Sequence, residues 1–137
     1  MAATAARVPG WSPIADTNKT AIARKAGAQT VAALAATETW YNDSDTTLYI
    51  SKVRASVGTA PTGAALIADV KLDGTSIYAT TTANRPTIAV STTTALGGTP
   101  DTVAVPAGSA LTFAVTQIGS TVAGSDLSVQ VTMSTSA

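Results

Sequence analysis

The most constraining feature of the sequence is an Asp-Gly pair, Asp73-Gly74, set between two β-rich runs. In the first run, residues 64–72, Leu66, Ala68, Val70 and Leu72 alternate with Ile67, Asp69 and Lys71, and residues 75–80 continue as "TSIYAT". Alternation at every second residue is the period of a strand with one buried face. Asp-Gly supplies the two positive φ angles of a type I′ turn. The sequence therefore predicts a β-hairpin here.

Other short β-rich runs are separated by turn-forming residues. The run at 48–57 changes phase between Ile50 and Val53, so it either contains a bulge near Ser51-Lys52 or is buried on both faces at its start. Residues 92–100 are predicted to form a long polar loop. Seven or eight short strands at hairpin spacing predict an all-β, antiparallel β-sandwich. The other strands are expected near residues 30–41, 87–90, 103–105, 111–116 and 127–133.

The beginning of the chain lacks this regularity. Residues 1–27 carry scattered apolar residues with no sustained period of 2 or 3.6, and we expect them to form an extended N-terminal arm. Residues 28–137 are expected to form the sandwich domain. The apolar residues of the arm are candidates for an assembly interface: Val8, Trp11, Ile14 and Ile22.

Two prolines flank the tryptophan of this arm. Pro9 and Pro13 favour extended backbone and would offer the Trp11 indole to a groove. The alternative is that Trp11 packs back on its own domain. A helix over residues 19–36 is a further alternative because Ala, Lys and Arg favour helix, although Gly27 weakens it.

Composition excludes several classes of function. The chain has no His, no Cys and a formal net charge of zero, and 12% of its residues are charged. Without His, the commonest general base and metal ligand are missing. Balanced charge argues against nucleic-acid binding and against a membrane-surface patch. No apolar stretch has the length of a signal peptide core or a membrane span, so we expect synthesis in the cytoplasm. A surface with few charges is weakly protected against association, which favours a place in an assembly.

Several residues are candidates for metal-binding, catalytic or phosphate-binding sites. Asp43 and Asp45 begin like a calcium loop, but the glycine and later ligands of an EF-hand are missing, so a turn is favoured. Glu38 and Asp69 could pair as glycosidase carboxylates. We expect each to lie on a strand, on a solvated face or in a cross-strand ion pair. Gly97-Gly98 belongs to no P-loop and is interpreted as part of a flexible loop.

Neither serine chemistry nor a cofactor is indicated. The serines near glycines form no G-x-S-x-G elbow, and a standard triad needs His, so we predict that the protein is not an enzyme. Trp40 and Tyr41 raise sugar binding as an option. Adjacent strand residues point to opposite faces, so we expect one of them in the core and one near the surface.

Several motifs together resemble the jelly-roll domains of bacteriophage virion proteins. They are "TWYNDSD", "TAPTG", "DVKLDGTSIY", "RPTI", "PAGSALT" and "GSTVAGSDLSVQV", spread over about residues 37 to 133. Such domains occur in capsid decoration proteins, head fibres and tail or baseplate appendages. The resemblance implies a jelly-roll-like β-sandwich in a virion structural protein.

Two functions follow as expectations. The first is a capsid decoration protein, a homotrimer that binds the major capsid protein or other virion proteins, with no cofactor, nucleic acid or membrane. The second is a tail or fibre domain that binds a host receptor or glycan through the loops at 58–63, 81–86 and 92–101. In that case Asn84 and Arg85 would be the main hydrogen-bonding residues, since loops on rigid scaffolds carry binding sites.

Overall fold

The computed structural model describes residues 18–135, which form a β-sandwich of ten strands. Two 3-10 helices, Ala36–Glu38 and Thr82–Asn84, lie in the connections. The strands are β1 (Asn18–Ala28), β2 (Trp40–Tyr41), β3 (Leu48–Ser56), β4 (Leu66–Leu72), β5 (Thr75–Ser76), β6 (Thr87–Ile88), β7 (Thr94–Leu96), β8 (Ala104–Val105), β9 (Ala110–Gln117) and β10 (Ser125–Ser134).

The strands form two antiparallel sheets. The β1 sheet has the order β1-β10-β3-β7, and β8 pairs with the other half of β3. The β4 sheet has the order β2-β9-β4-β5, and β6 also pairs with β4. All pairings between these strands are antiparallel. The predicted all-β sandwich is confirmed.

The core is aliphatic and lies between the sheets. Alternate residues of β10 are buried while those between them stay partly exposed, as the period-2 pattern predicts. The inward side chains of β4 and β9 supply the opposite layer. The principal residues are Leu127, Val129, Val131 and Met133 from β10, Leu66, Ala68 and Val70 from β4, and Leu111, Phe113 and Val115 from β9.

The phase change in β3 is a β-bulge. Thr132 of β10 pairs with Lys52, whereas Met133 pairs with Ile50, so Ser51 is left over. The Ser51 hydroxyl donates to the Thr132 carbonyl at 3.1 Å. The first of the two predicted explanations is therefore correct. At the far edge of β3, β7 and β8 pair on either side of this bulge.

The Asp73-Gly74 hairpin is also confirmed. Both residues have positive φ, 48° and 91°, as a type I′ turn requires. The turn is fixed to β9 because the Ala110 amide donates to the Asp73 carboxylate at 2.9 Å. The second strand is shorter than predicted: β5 ends at Ser76, and Ile77 then enters the core.

The arm prediction is wrong for residues 18–27. These residues form most of β1, which pairs along β10. The alternative of a helix over residues 19–36 is wrong, since within that range only Ala36, the first residue of the first 3-10 helix, is helical. Ala21 and Ala23 are completely buried and fill the core beside β10. Small alanines fit this narrow site and give little hydrophobic signal, which hides the strand in the sequence. Within the described residues, the sandwich therefore begins at residue 18 and not at residue 28.

Two other segments differ from prediction. The proposed loop at 92–100 contains β7. The proposed strand at 30–41 is mostly irregular: Ala33 makes an isolated bridge to Ala114 of β9, and only residues 40–41 form a strand. Backbone bonds from Leu34 to Phe113 and from β9 back to residue 32 hold this segment at the edge of the β4 sheet.

Candidate functional site

Two of the loops proposed for ligand binding are bonded to each other. Asn84 donates its side-chain amide to the Thr99 carbonyl at 2.9 Å, and its own carbonyl accepts the Gly98 amide at 2.8 Å. Gly97 donates to the Val53 carbonyl at 2.8 Å. Asn84 therefore links the second 3-10 helix to residues 98–99, and its side-chain nitrogen already donates a hydrogen bond within the domain.

The two glycines of this contact are required by close packing. A Cβ added to Gly97 would lie 2.6 Å from the Tyr78 hydroxyl oxygen. A Cβ on Gly98 would lie 2.8 Å from the Asn84 side chain. The interpretation of Gly97-Gly98 as part of a flexible loop is corrected: their backbones are bonded, and their lack of side chains lets two segments meet.

Asp101 fastens the same loops. Its carboxylate accepts the Thr80 amide at 2.6 Å, the Thr80 hydroxyl at 2.8 Å and the Thr81 amide at 3.2 Å. These bonds favour the charged form, and the Thr80 amide contributes most, so the pKa of Asp101 lies below its usual 3.8. Asp101 therefore holds residues 80–81 in place through hydrogen bonds to a charged carboxylate.

The hydrogen bonds of the Asp101 carboxylate predict a contribution to stability that is lost in acid. Because the pKa of Asp101 is lower in the folded state, its contribution is complete well above pH 3.8 and is lost as the pH falls through the lowered pKa. We expect an Asp101→Asn variant to show a smaller fall in melting temperature between pH 5 and pH 2.5 than the parent chain. Thermal melts across that range test this. Equal slopes for the two proteins would contradict it.

Arg85 turns toward the protein. Its Nε atom lies 3.8 Å from the carboxylate oxygen Oδ1 of Asp69, and the two side chains are 24% and 3% exposed. The same oxygen accepts the Ser76 hydroxyl at 2.8 Å and the Val70 amide at 2.9 Å. Asp69 is therefore not on a solvated face. It is a buried ion-pair partner, and Arg85 reaches it from the segment before β6, outside any strand.

A groove crosses the outer face of the β4 sheet at this ion pair. It encloses about 640 Å³, and its floor includes the row Ala33, Ala114 and Asp69 across neighbouring strands. Lys71 and Arg85 line it as well. Since the carboxylate is buried, the charge that faces the groove is positive.

Tyr78 lies behind this ion pair and is completely buried. Burial raises its pKa to about 12, and the charge of Asp69 adds to the shift. No hydrogen-bond partner for its hydroxyl lies within residues 18–135. Tyr78 therefore stays neutral at ordinary pH and acts as a core side chain.

The Asp69 ion pair predicts a clear loss of stability on mutation. Asp69→Ala removes the acceptor of the Ser76 hydroxyl and leaves the Arg85 guanidinium without its anion. We expect the free energy of unfolding to fall by about 2 kcal/mol. The loss is no larger because Arg85 is partly exposed, so solvent screens its charge when Asp69 is absent. Denaturant unfolding measures it. Lys71→Ala on the same face is the matched control and should cost below about 0.5 kcal/mol; equal losses would mean that the ion pair adds nothing specific.

The Asn-Asp turn after β2 is organised by one buried amide. Asn42 is completely buried, and its Nδ2 donates to the carbonyls of Thr46 and Val105 at 3.0 and 2.9 Å. Its Oδ1 accepts the Ser44 amide and hydroxyl at 3.1 and 2.6 Å. Asp43 and its neighbour Asp45 remain exposed. In the part of the chain described, no group of three or more acidic residues could hold a metal ion.

The aromatic pair is divided between core and surface as predicted. Trp40 packs against the core and is partly buried, whereas Tyr41 is 56% exposed. They line an opening of about 390 Å³ together with Lys19 and Leu48. This opening lies where the first residues of β1 meet the edge of the β4 sheet.

The edge of β1 lies next to this opening. Within residues 18–135, β1 pairs with β10 on one side and with no strand on the other. Glu38 lies beside this edge, in the first 3-10 helix and not on a strand, and its Oε1 accepts the Arg24 amide at 2.8 Å. Ile22, at the middle of the edge, is 42% exposed. Val8, Trp11 and Ile14, the other proposed interface residues, lie outside the described residues.

No protein-family model matches the chain, and no curated protein matches it. Among the described residues, no helix is long and apolar enough to cross a membrane.

Sequence reasoning did not find the internal roles of several polar residues. Asn42, Asp69 and Asp101 each bind groups more than six residues away in the chain. A lone Asn or Asp in a turn or strand gives no sign of such a partner. The one available signal was Asp69 itself, an acidic residue in a strand that is apolar apart from Lys71.

Proposed function

We propose that the chain is a structural virion protein of a bacteriophage. In this proposal it is a capsid decoration protein, a homotrimer that binds the particle surface and stabilises it through many non-covalent contacts. Its partners would be the major capsid protein or other virion proteins. The motif resemblance over residues 37–133 suggests the class, and the surface of the sandwich supports a role in assembly.

The observation that carries the proposal is the outer edge of β1, which no strand within residues 18–135 pairs with. A long strand with free backbone N–H and C=O groups readily pairs with another chain. Three residues separate the start of this strand from residues 8–14, a segment with three large apolar side chains. An exposed strand edge and an apolar segment close to it in sequence suit a protein that binds other chains in an assembly.

The exposed side chains support the same role. Within residues 18–135, six large hydrophobic residues are between 42% and 60% exposed: Ile22, Val31, Tyr41, Val90, Leu96 and Val122. They lie on a chain with zero formal net charge, so little repulsion opposes contact between copies. Single contacts of this kind are weak, but many copies on one particle make them additive in effect.

The polar residues also favour assembly over ligand recognition. Asn84 and Arg85, the residues expected to recognise a receptor or glycan, are bonded within the fold or turned toward a buried carboxylate. A binding site on loops needs donors and acceptors that point outward. This supports the decoration role over that of a tail or fibre domain.

Sedimentation tests the proposal. The purified chain is examined by analytical ultracentrifugation alone and with phage particles that lack it. We expect a stable trimer that co-sediments with the particles at high stoichiometry. A protein that ignores the particles but binds host cells or glycans would overturn the proposal and favour the receptor-binding alternative. Serum albumin in the same runs controls for non-specific trapping.

A further inference from the structure

We propose that the turn after β2 of one copy docks into the groove on the outer face of the β4 sheet of a second copy. In this contact the carboxylates of Asp43 and Asp45 meet the side chains of Lys71 and Arg85. This deepens the proposed function, on which it rests, by naming the contact that joins the copies of the homotrimer. Both surfaces lie within the described residues.

The turn presents the carboxylates that the fold leaves available. Asp43 and Asp45 are exposed, and within residues 18–135 neither side chain accepts a hydrogen bond or forms an ion pair. The other acidic residues of that range each accept at least one hydrogen bond: Glu38, Asp69, Asp73, Asp101 and Asp126. The unbonded negative charge of the described chain is therefore concentrated in this turn.

The buried side chain of Asn42 fixes the backbone of the turn. Its Oδ1 accepts the Ser44 amide and hydroxyl, and its Nδ2 donates to the Thr46 carbonyl. Asp43 and Asp45 flank the small residue Ser44, so both carboxylates belong to a short segment whose backbone is already ordered. Binding through such a segment costs little conformational entropy.

The groove presents cationic side chains with unused hydrogen-bond donors. Lys71 lines it and has no ion-pair partner within residues 18–135. The Nε atom of Arg85 lies 3.8 Å from the Asp69 carboxylate, beyond hydrogen-bond distance, and has no hydrogen-bond partner in the same range. Asp69 instead accepts the Val70 amide and the Ser76 hydroxyl. A guanidinium and an ammonium group side by side favour a carboxylate ligand.

The charges have the same spacing on the two surfaces. Arg85 reaches β4 at Asp69, two residues from Lys71, so the two cations occupy positions about 7 Å apart along the strand. Asp43 and Asp45 are also two residues apart, and their Cα atoms can be separated by no more than about 7 Å. Each carboxylate of the turn can therefore face one cation of the groove.

The groove also has room for the turn. Its floor includes the small side chains of Ala33 and Ala114, and the exposed Val31 borders it. It encloses about 640 Å³, which is within the range typical of ligand sites. Small side chains on both surfaces let the two backbones approach closely, so the opposite charges come into contact.

The turn cannot fill the groove of its own chain. Tyr41, at the start of the turn, pairs with Ala110, whereas Ala114 beside the groove lies four residues further along β9, about 13 Å away. Within residues 18–135 no ion pair joins the two surfaces. The turn therefore reaches only another copy. Because this contact joins two different surfaces, it can close into a ring such as the proposed trimer.

A second copy is favoured over an acidic segment of another protein because the chain itself supplies both surfaces. Its unbonded carboxylates match the cations of the groove in number and spacing. The formal net charge of the chain is zero, so no overall repulsion opposes the contact between copies.

Carbodiimide cross-linking tests the contact directly, because it joins a lysine amine to a carboxylate where the two groups touch. Full-length chains labelled with heavy nitrogen are mixed with unlabelled chains, cross-linked and analysed by mass spectrometry. We expect the main product between a labelled and an unlabelled chain to link Lys71 with Asp43 or Asp45. Products between chains that use other residues, or no product between chains, would overturn the proposal.

Two variants make the cross-link specific. Lys71→Arg keeps the positive charge but has no lysine amine, so the cross-link should disappear while self-association persists. The double variant Asp43→Asn, Asp45→Asn should lose both the cross-link and the association. An unchanged pattern of cross-links between Lys71→Arg chains would contradict the assignment.

Charge reversal gives a second readout in solution. Lys71→Glu sets an acid against the carboxylates of the turn, and we expect the dissociation constant for self-association to rise roughly tenfold in sedimentation equilibrium. Lys52→Glu makes the same change in net charge at an exposed position of the other sheet and should have no such effect. Equal effects in the two folded variants would mean that net charge alone matters, which would overturn the contact.

Mixing two defective variants distinguishes a lost contact from a damaged fold. Lys71→Glu retains the turn, and the double variant Asp43→Asn, Asp45→Asn retains the groove. We expect the mixture to form dimers of unequal chains although each variant alone is monomeric at the same concentration. A mixture that stays monomeric would count against the docking of turn into groove.

Particle binding, measured on the same proteins, separates this contact from the decoration role. A parent chain that co-sediments with particles without the Lys71 cross-link would overturn the contact and leave the decoration role standing. The expected cross-link without particle binding would support the contact and overturn that role. If Lys71→Glu self-associates normally but no longer binds particles, the groove takes an acidic segment of another virion protein, and the docking of a second copy is wrong.

Discussion

A Val129→Asp variant is expected not to fold. Val129 is completely buried at the centre of β10, between Ala23 of β1 and Ala55 of β3, which are equally buried. A carboxylate at this position would have only apolar neighbours. An unpaired buried charge costs several kcal/mol, which is comparable with the roughly 5–15 kcal/mol that holds a domain together. Far-ultraviolet circular dichroism and solubility after expression measure the outcome.

The neighbouring position provides the control for this experiment. Ser128 lies on the outward face of the same strand and is partly exposed. Ser128→Asp should fold and melt within about 3 °C of the parent chain. A soluble Val129→Asp protein with a normal melting curve would mean that the inner and outer faces of β10 have been exchanged.

Two deletions should differ sharply in stability. Removing residues 1–17 leaves every described strand in place, so the melting temperature should change by no more than about 3 °C. Removing residues 1–26 also removes nearly all of β1, including the buried Ala21 and Ala23, and uncovers one side of the central strand β10. We expect the second protein to lose its cooperative unfolding transition.

Denaturant unfolding followed by circular dichroism compares the two deletions. A normal transition after removal of residues 1–26 would show that β1 is a detachable arm, as the sequence alone suggested. Unfolding after removal of residues 1–17 would show instead that this segment belongs to the core of its own domain. Each result therefore locates the boundary of the domain.

The success of the sequence prediction depended on the size of the inward side chains. Strand β10 was found because Leu127, Val129 and Val131 alternate with polar residues, a pattern that only a half-buried strand produces. Strand β1 was missed because its inward residues are alanines. Alanine has high helix propensity and little hydrophobic signal, and only the close approach of β10 determines its strand conformation.

The polar contacts of the candidate site show a different limit of prediction from sequence. Local turn chemistry was enough to predict the Asp73-Gly74 turn, since both required φ angles belong to adjacent residues. The burial of Asp69 was not predictable in the same way. It depends on Arg85, which reaches the carboxylate through the fold and not through a recognisable motif. Polar contacts between distant segments appear only once the sheets are assembled.

The two borders of the β1 sheet differ in length, because the bulge at Ser51 interrupts the border opposite β1. At the end opposite β1, the border is shared by β7 and β8, which are three and two residues long and meet β3 on either side of the bulge. Short, interrupted strands are poor templates for backbone pairing. Among residues 18–135, β1 is therefore the border of this sheet that offers a long template for pairing, whereas the border formed by β7 and β8 is protected. The bulge thus protects one border of the sheet against edge-to-edge aggregation.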